Sequence, residues 1–279
     1  MSVLQGPIIF VTTGLNNTLR PLPGVAQLAA LFDRQLVVLH TREKRYEEYA
    51  TSQIAEALAE LPPASAAPEV VVAPVKQRAA SLRSIAAERG GMLAILPQRR
   101  DFVSRLLLMI TDYEAMMIEG PLPLIALPRD SKVPPRVRRI LFPIDLSPRS
   151  LPLLDETIEL CAALRADLHL IHLFGADRLL PGELDAARQA AHSPKQIFDL
   201  DKQEMQRLAD RARARQVVTV LEHAEGRAHQ GILGYMGQHQ IDLVVMATHG
   251  PRSQEDIWHG TTTARVIRDA QVPVIAVRA

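Results

Sequence analysis

The feature that most constrains this chain is a repeat. Ile8-Ile9-Phe10-Val11-Thr12-Thr13 recurs 132 residues later as Ile140-Leu141-Phe142-Pro143-Ile144-Asp145, and the same offset carries Leu36-Val37-Val38-Leu39-His40 onto Leu168-His169-Leu170-Ile171-His172. Farther along, Met92 to Leu96 falls on Asp242 to Met246 and Pro121 to Leu127 on Gln271 to Val277, both at an offset of 150. Two constant offsets, 18 apart, describe one unit written twice, the second copy carrying a longer connection around Phe174 to Asp199. A length of 279 residues suits that reading, because domains cluster at roughly 100–150 residues.

Within each copy the apolar runs are short and rich in Val, Ile and Leu, and they alternate with segments of helical period. That pattern belongs to parallel strands covered on both faces by helices. In the second copy, strands are expected near 139–145, 167–173, 217–222, 242–247 and 272–278. Its first helix is expected to open at Ser147-Pro148, a capping serine before a proline, and to bury Leu151, Leu154, Ile158, Cys161 and Leu164. The matching stripe of the first copy is Val25, Leu28, Ala29 and Phe32. The expected fold class is α/β, with two tandem five-stranded, doubly wound parallel-sheet domains. Pro128 to Arg136, proline-rich and mostly charged, marks the boundary and reads as a solvated linker. The expected division is 1–130, a linker at 131–137, and 138–279.

Composition narrows the function classes. With 47% hydrophobic and 23% charged residues the chain has material for two modest cores, and disorder over most of its length is disfavoured. A formal net charge of +1 gives no reason to expect nucleic acid or an anionic membrane as partner. No apolar run approaches the roughly 20 residues of a membrane span, and MSVLQGPIIFV lacks the pattern of a secretory leader. The single Cys161 cannot form an internal disulfide and sits on an apolar stripe, so it reads as a buried thiol. A soluble, cytoplasmic protein is expected.

Two places in the second copy draw chemistry. In a doubly wound sheet, ligands bind beyond the carboxyl ends of the strands, where strand order reverses. Asp145 closes the first strand there, and Ala247-Thr248-His249-Gly250 closes the fourth. The chain then runs for nine residues and enters a helix at Gly260-Thr261-Thr262-Thr263. A helix start offers unpaired N–H groups and partial positive charge to an anion, with Gly260 allowing close approach, although a Gly-Thr pair is also an ordinary helix cap.

The spacing Ala247-Thr248-His249-Gly250, nine residues, then Gly260-Thr261 resembles the signature of the ATP-binding branch of the universal stress protein family. The resemblance extends to Ile140 through Ser150, to His172-Leu173, and to Val272 through Val277, and covers nearly all of 136–279. It implies a tandem member of that family, an intramolecular pseudo-dimer in which the last strand of each copy, Pro121 to Leu127 and Val272 to Val277, pairs with the other. It also implies that Pro143, Ile144 and Asp145 lie by the adenosine, with Asp145 accepting hydrogen bonds from it, and that Leu173 lines the adenine slot. By the same carry-over, Met246, Ala247, His249 and Gly250 cover the nucleotide, and Gly260, Thr261 and Thr262 receive the phosphates. Ala247 stands where the family has glycine: a left-handed backbone there would cost alanine roughly 1 kcal/mol, whereas a need for mere smallness would only narrow the slot.

In the first copy the corresponding positions hold Thr13, Pro97, Arg100, Ile110 and Thr111, so both motif glycines are gone and one nucleotide site per chain is expected. Arg99 and Arg100 read as part of a solvated loop. Of the nine histidines, His169 and His172 stand at an odd separation in one strand and cannot share an ion; His223, His229, His239, His249 and His259 are scattered, and no metal site is expected. Glu255 and Asp256 in the loop could meet a magnesium ion beside ATP. There is no Gly-x(4)-Gly-Lys-[Ser/Thr], no Gly-x-Gly-x-x-Gly after a strand and no Gly-x-Ser-x-Gly, which disfavours phosphate-loop NTPases, dinucleotide dehydrogenases and serine hydrolases. The expectation is a stress-response regulator that binds ATP or a related adenine nucleotide, hydrolyses it slowly at most, and is read by a protein partner; a homodimer is compatible with it. The alternative is a nucleotide-independent scaffold whose duplication builds a partner-binding surface.

Overall fold

The structure, a computed structural model, describes residues 4–14, 16–42, 47–62, 66–95, 122–128, 130, 132–148, 150–174, 194–248 and 262–278. Compactness divides the chain into Met1–Arg136 with Ala270–Val277, and Val137–Asp269 with Arg278–Ala279.

The first unit contains β1 (Ile8–Thr12), α1 (Asn16–Leu19), α2 (Leu22–Leu31), β2 (Leu36–Arg42), α3 (Glu47–Ala59), β3 (Glu69–Pro74), α4 (Arg78–Arg89, entered through a single 3-10 turn), β4 (Met92–Ile95) and β5 (Leu124–Ala126). Its strand order is β3-β2-β1-β4-β5, all parallel. All five residues of β1 are buried, which is what a central strand with helices on both faces requires. At the edge, β3 alternates, leaving Val70 and Val72 exposed. Val25, Leu28, Ala29 and Phe32 are all buried, as their spacing predicts. The closing strand of the chain, β10 (Val274–Arg278), is antiparallel to β5, with Val274 opposite Ala126 and Ala276 opposite Leu124. The last strands of the two copies therefore pair within one chain.

The second unit contains β6 (Arg139–Pro143), α5 (Leu151–Leu164), β7 (Asp167–Phe174), α6 (Pro194–Ala214), β8 (Thr219–Glu225), α7 (Ala228–Gln238), β9 (Leu243–Thr248) and α8 (Thr262–Asp269). Its order is β9-β6-β7-β8, parallel throughout. The chain steps from β6 to β7 on one side and reaches β9 on the other, so strand order reverses between β6 and β9. The α/β class expected from the repeat is the class observed.

Two local expectations are corrected. The helix after β6 opens at Leu151, with Ser150 rather than Ser147 at its N-cap position. Before it, the Asp145 carboxylate accepts from Ser147 N–H and Ser150 Oγ in a turn, and Leu146 has a left-handed backbone (φ 60°). The face that this helix buries is Leu153, Leu154, Thr157, Ile158 and Cys161, with Leu151 and Leu164 only half-buried. Nor is the segment between the copies wholly solvated. Gln27 Nε2 of α2 donates to the carbonyls of Val133 (3.0 Å) and Pro134 (3.1 Å), and Val133 is buried.

Candidate functional site

The carboxyl end of β6 is a tightly bonded corner. Ile144 N–H donates to Ile171 O at 2.9 Å, extending the β6–β7 ladder by one residue, and Ile144 O accepts from His172 Nδ1 at 2.8 Å. Ile144 is buried and Pro143 half-buried. Asp145 Oδ1 then accepts from Ser147 N–H at 3.0 Å and from Ser150 Oγ at 2.9 Å. Ser150 is fully enclosed, and its Oγ also lies 2.9 Å from Ser147 O. Asp145 thus shapes the loop as well as charging it.

Across the point of strand reversal stands the end of β9. Ile140 pairs with Leu243 and Leu141 with Val244, so the same register carried forward sets Pro143 beside Met246 and Ile144 beside Ala247. Met246 is buried and Ala247 half-buried. Ala247 lies within the extended strand and has no positive φ, so the left-handed cost does not arise and only its size matters. The first residue of α8 is Thr262, and Thr263 reaches back from it, its Oγ1 3.5 Å from Ala247 O. Thr263, buried on the inner side of the helix, was not among the residues expected to matter. His249, Gly250, Gly260 and Thr261 lie outside the described residues.

Leu173, at the end of β7, packs toward α7. A Cβ added at Gly231 would stand 2.7 Å from Leu173 Cδ2, so the absent side chain of this helical glycine makes room for the leucine. Pro143, Ile144, Asp145, Met246, Ala247 and the start of α8 are thus gathered at the β6–β9 reversal, while Leu173 stands at the end of the adjacent strand, against α7.

The first unit builds a different corner at the same place. Thr12 Oγ1 lies 2.8 Å from Thr18 Oγ1 and accepts from Gly14 N–H at 3.0 Å, with Thr13 Oγ1 at 3.2 Å from Thr18. Gly14 has φ +78°, and a Cβ on it would meet Ala50 Cβ of α3 at 2.6 Å. Hydroxyls and the backbone of a neighbouring helix stand where the second unit has a carboxylate. Pro97, Arg99, Arg100, Ile110 and Thr111 lie outside the described residues.

The titratable groups around the second sheet are mostly locked by burial. His169 faces α7, its Nδ1 2.8 Å from Tyr235 Oη, and Tyr235 stacks on His239 with ring centroids 3.9 Å apart. Burial, and then His239, push the His169 imidazole below its ordinary value. Burial with the nearby Glu222 pushes Tyr235 up to about 12, and burial with Asp167 pushes the Cys161 thiol up to about 12. Cys161 is therefore no nucleophile at neutral pH. His172 faces α6, opposite to His169, as alternation along the strand demands.

A sequence model described as the universal stress protein family matches residues 136–278. Among solved structures, the chain is similar to a universal stress protein from Archaeoglobus fulgidus DSM 4304, at 15% identity and a TM-score of 0.71, over 99% of this chain and 97% of that one. It is similar to a functionally unknown protein from Pseudomonas aeruginosa PAO1 at 15% identity and a TM-score of 0.61, over 98% and 92% of the two chains. A protein titled a universal stress protein from Pseudomonas aeruginosa UCBPP-PA14 gives 16% identity and a TM-score of 0.59 over the same shares. At such identities these three likenesses show the fold. No curated protein sequence matches the chain.

Proposed function

The chain belongs to the universal stress protein family, and from that premise we propose that its second unit binds ATP or a related adenine nucleotide, occupancy being read by a protein partner in a stress response. The observation that carries this reading is the gathering of Asp145, Ala247 and the start of α8 at one strand reversal, the position where doubly wound sheets take ligands. Asp145 is assigned to the adenosine, with Pro143, Ile144, Met246 and Leu173 as its apolar surroundings. The amides from Gly260 to Thr262 and the loop with His249 and Gly250 are assigned to the phosphates. Mg2+ would neutralise charge on the polyphosphate. Rapid turnover is not part of the reading, since phosphoryl transfer needs a positioned nucleophile and several cationic or metal groups together.

The test is mass spectrometry of nucleotide released from freshly purified chain, followed by calorimetric titration with ATP. One equivalent bound at sub-millimolar affinity, lost in Gly260→Val, supports the assignment; no binding, or unchanged affinity in that variant, removes it. The second reading, a nucleotide-independent scaffold, draws on the first unit, where Gly14 closes directly on α3. It predicts partner capture that is indifferent to ATP.

A further inference from the structure

A second constellation lies on the face of β7 and β8 that α6 covers, and it owes nothing to the nucleotide motif. His172 and His223 are register partners in adjacent parallel strands, so their side chains leave the sheet on the same face, one strand apart. Their rings stack with centroids 5.2 Å apart. From above comes Asp201 of α6, which occupies a core position: Met205, Leu208, Ala209 and Ala212, on the same helical stripe, are all buried. Asp201 itself is only 2% exposed and His172 1%. A carboxylate so placed beside two imidazoles has the donor chemistry of a metal ligand.

The geometry at His172 favours an ion over a proton between its ring and Asp201. His172 Nδ1 lies 2.8 Å from Ile144 O; a carbonyl only accepts, so Nδ1 carries the proton and Nε2 is left to point at Asp201. Nε2 makes no hydrogen bond, and its distance to Asp201 Oδ2 is 3.4 Å. A charge-assisted N–H···O bond would measure about 2.7–2.9 Å. Two ligand atoms each about 2.0–2.1 Å from a tetrahedral ion stand about 3.3–3.4 Å apart. Ligand atoms of His172, Asp201 and His223 all lie within 4.8 Å of one another, the one such group among the described residues. Phe198 stacks on His223 at 4.1 Å and walls the group with an apolar ring, and the ring nitrogens of His223 are themselves enclosed. A carbonyl fixing the far nitrogen of a histidine is also the usual outer support of a metal ligand.

We infer that His172 Nε2, Asp201 and His223 form a site for a divalent transition metal of the zinc class, with a fourth position for water or an added ligand. Two imidazoles and one carboxylate suit Zn2+ and other borderline ions and do not suit Ca2+ or Mg2+, which take oxygen ligands. The ion ties α6 to the carboxyl ends of β7 and β8. Through the His172–Ile144 bond it also steadies the corner that precedes Asp145.

The test uses the full-length, untagged chain, stripped with a chelator and studied without nucleotide, so that its outcome is separate from ATP binding. Zn2+ titrated by calorimetry should bind at one equivalent with a Kd of roughly 10 µM or tighter. Co2+ should produce the visible absorption of a four-coordinate site. Asp201→Asn and His223→Gln should each weaken binding by at least about a hundredfold, with circular dichroism unchanged, while His239→Gln leaves it intact. Because a ligand variant can misfold, X-ray absorption at the zinc edge of the wild-type protein stands as an independent readout, and two imidazole nitrogens with a carboxylate oxygen are expected. Absence of stoichiometric uptake, uptake indifferent to both ligand variants, or a sulfur-containing or all-water shell overturns the site.

Discussion

Replacing Asp145 separates the two roles assigned to it. In the loop, its Oδ1 accepts from Ser147 N–H and from Ser150 Oγ. Hydrogen bonds to a charged acceptor contribute about 1.5–3 kcal/mol each. In Asp145→Ala the Ser150 hydroxyl keeps a second acceptor in Ser147 O at 2.9 Å, so most of the loss falls on Ser147 N–H. The turn also holds Leu146 in a left-handed backbone, an arrangement that costs about 1–2 kcal/mol and that the loop would abandon once the anchor is gone. Relaxation therefore offsets part of the loss, and a net destabilisation of about 1–2 kcal/mol follows for alanine. Asp145→Asn retains an oxygen acceptor at the same point and should cost less than about 1 kcal/mol, since neutral bonds contribute about 0.5–1.5 kcal/mol. For ATP the order differs. Asparagine loses the charge-assisted component, about 1.4 kcal/mol or tenfold in affinity, and alanine loses about a hundredfold. Denaturant unfolding gives the stabilities, and calorimetry at matched folded fraction gives the affinities. An alanine variant as stable as wild type refutes the turn argument; an asparagine variant with wild-type affinity removes the adenosine role.

Gly14→Ala should destabilise the first unit by about 2–4 kcal/mol, the sum of a left-handed alanine and the contact of its Cβ with Ala50 at 2.6 Å; an unchanged unfolding midpoint counts against that close approach. The His169 imidazole has its folded value pushed below the ordinary 6.5, so the unfolded chain binds the proton first. Its contribution to stability is complete above about pH 6.5 and is lost as pH falls below that value, until the folded ring also takes a proton. Wild type should therefore lose up to about 1.4 kcal/mol per pH unit more than His169→Gln in that window; parallel pH profiles would show that Tyr235, His239, Asp167 and Arg139 around the ring leave it unshifted. Cys161 should resist thiol reagents at pH 8 in the folded chain and react at once in denaturant, and comparable rates in the two states would contradict its enclosure.

Much of the architecture is written locally. The two offsets align strands that the structure superposes in kind, and apolar spacing alone names Val25, Leu28, Ala29 and Phe32 as an inward face. Strand identity and helix faces are legible because each depends on residues a few positions apart, whose shared burial leaves a period in the chain. The helix start differs for the opposite reason: a serine before proline is a good cap, but in the structure Asp145, Ser147 and Ser150 bond one another in a turn that delays the helix to Leu151.

Sequence alone supplied the α/β class and located the strand ends where a candidate site would stand. Only the tertiary structure decided that His172 and His223 are neighbours, that Asp201 of α6 descends between the helix and that pair, and that Thr263 reaches back to Ala247. These contacts depend on strand register and on the seating of a helix over the sheet, and both are chosen by the packing of the whole unit. An aspartate on an apolar helical stripe was the visible trace of one of them, and its partners lie 29 and 22 residues away in sequence, beyond the reach of any local period.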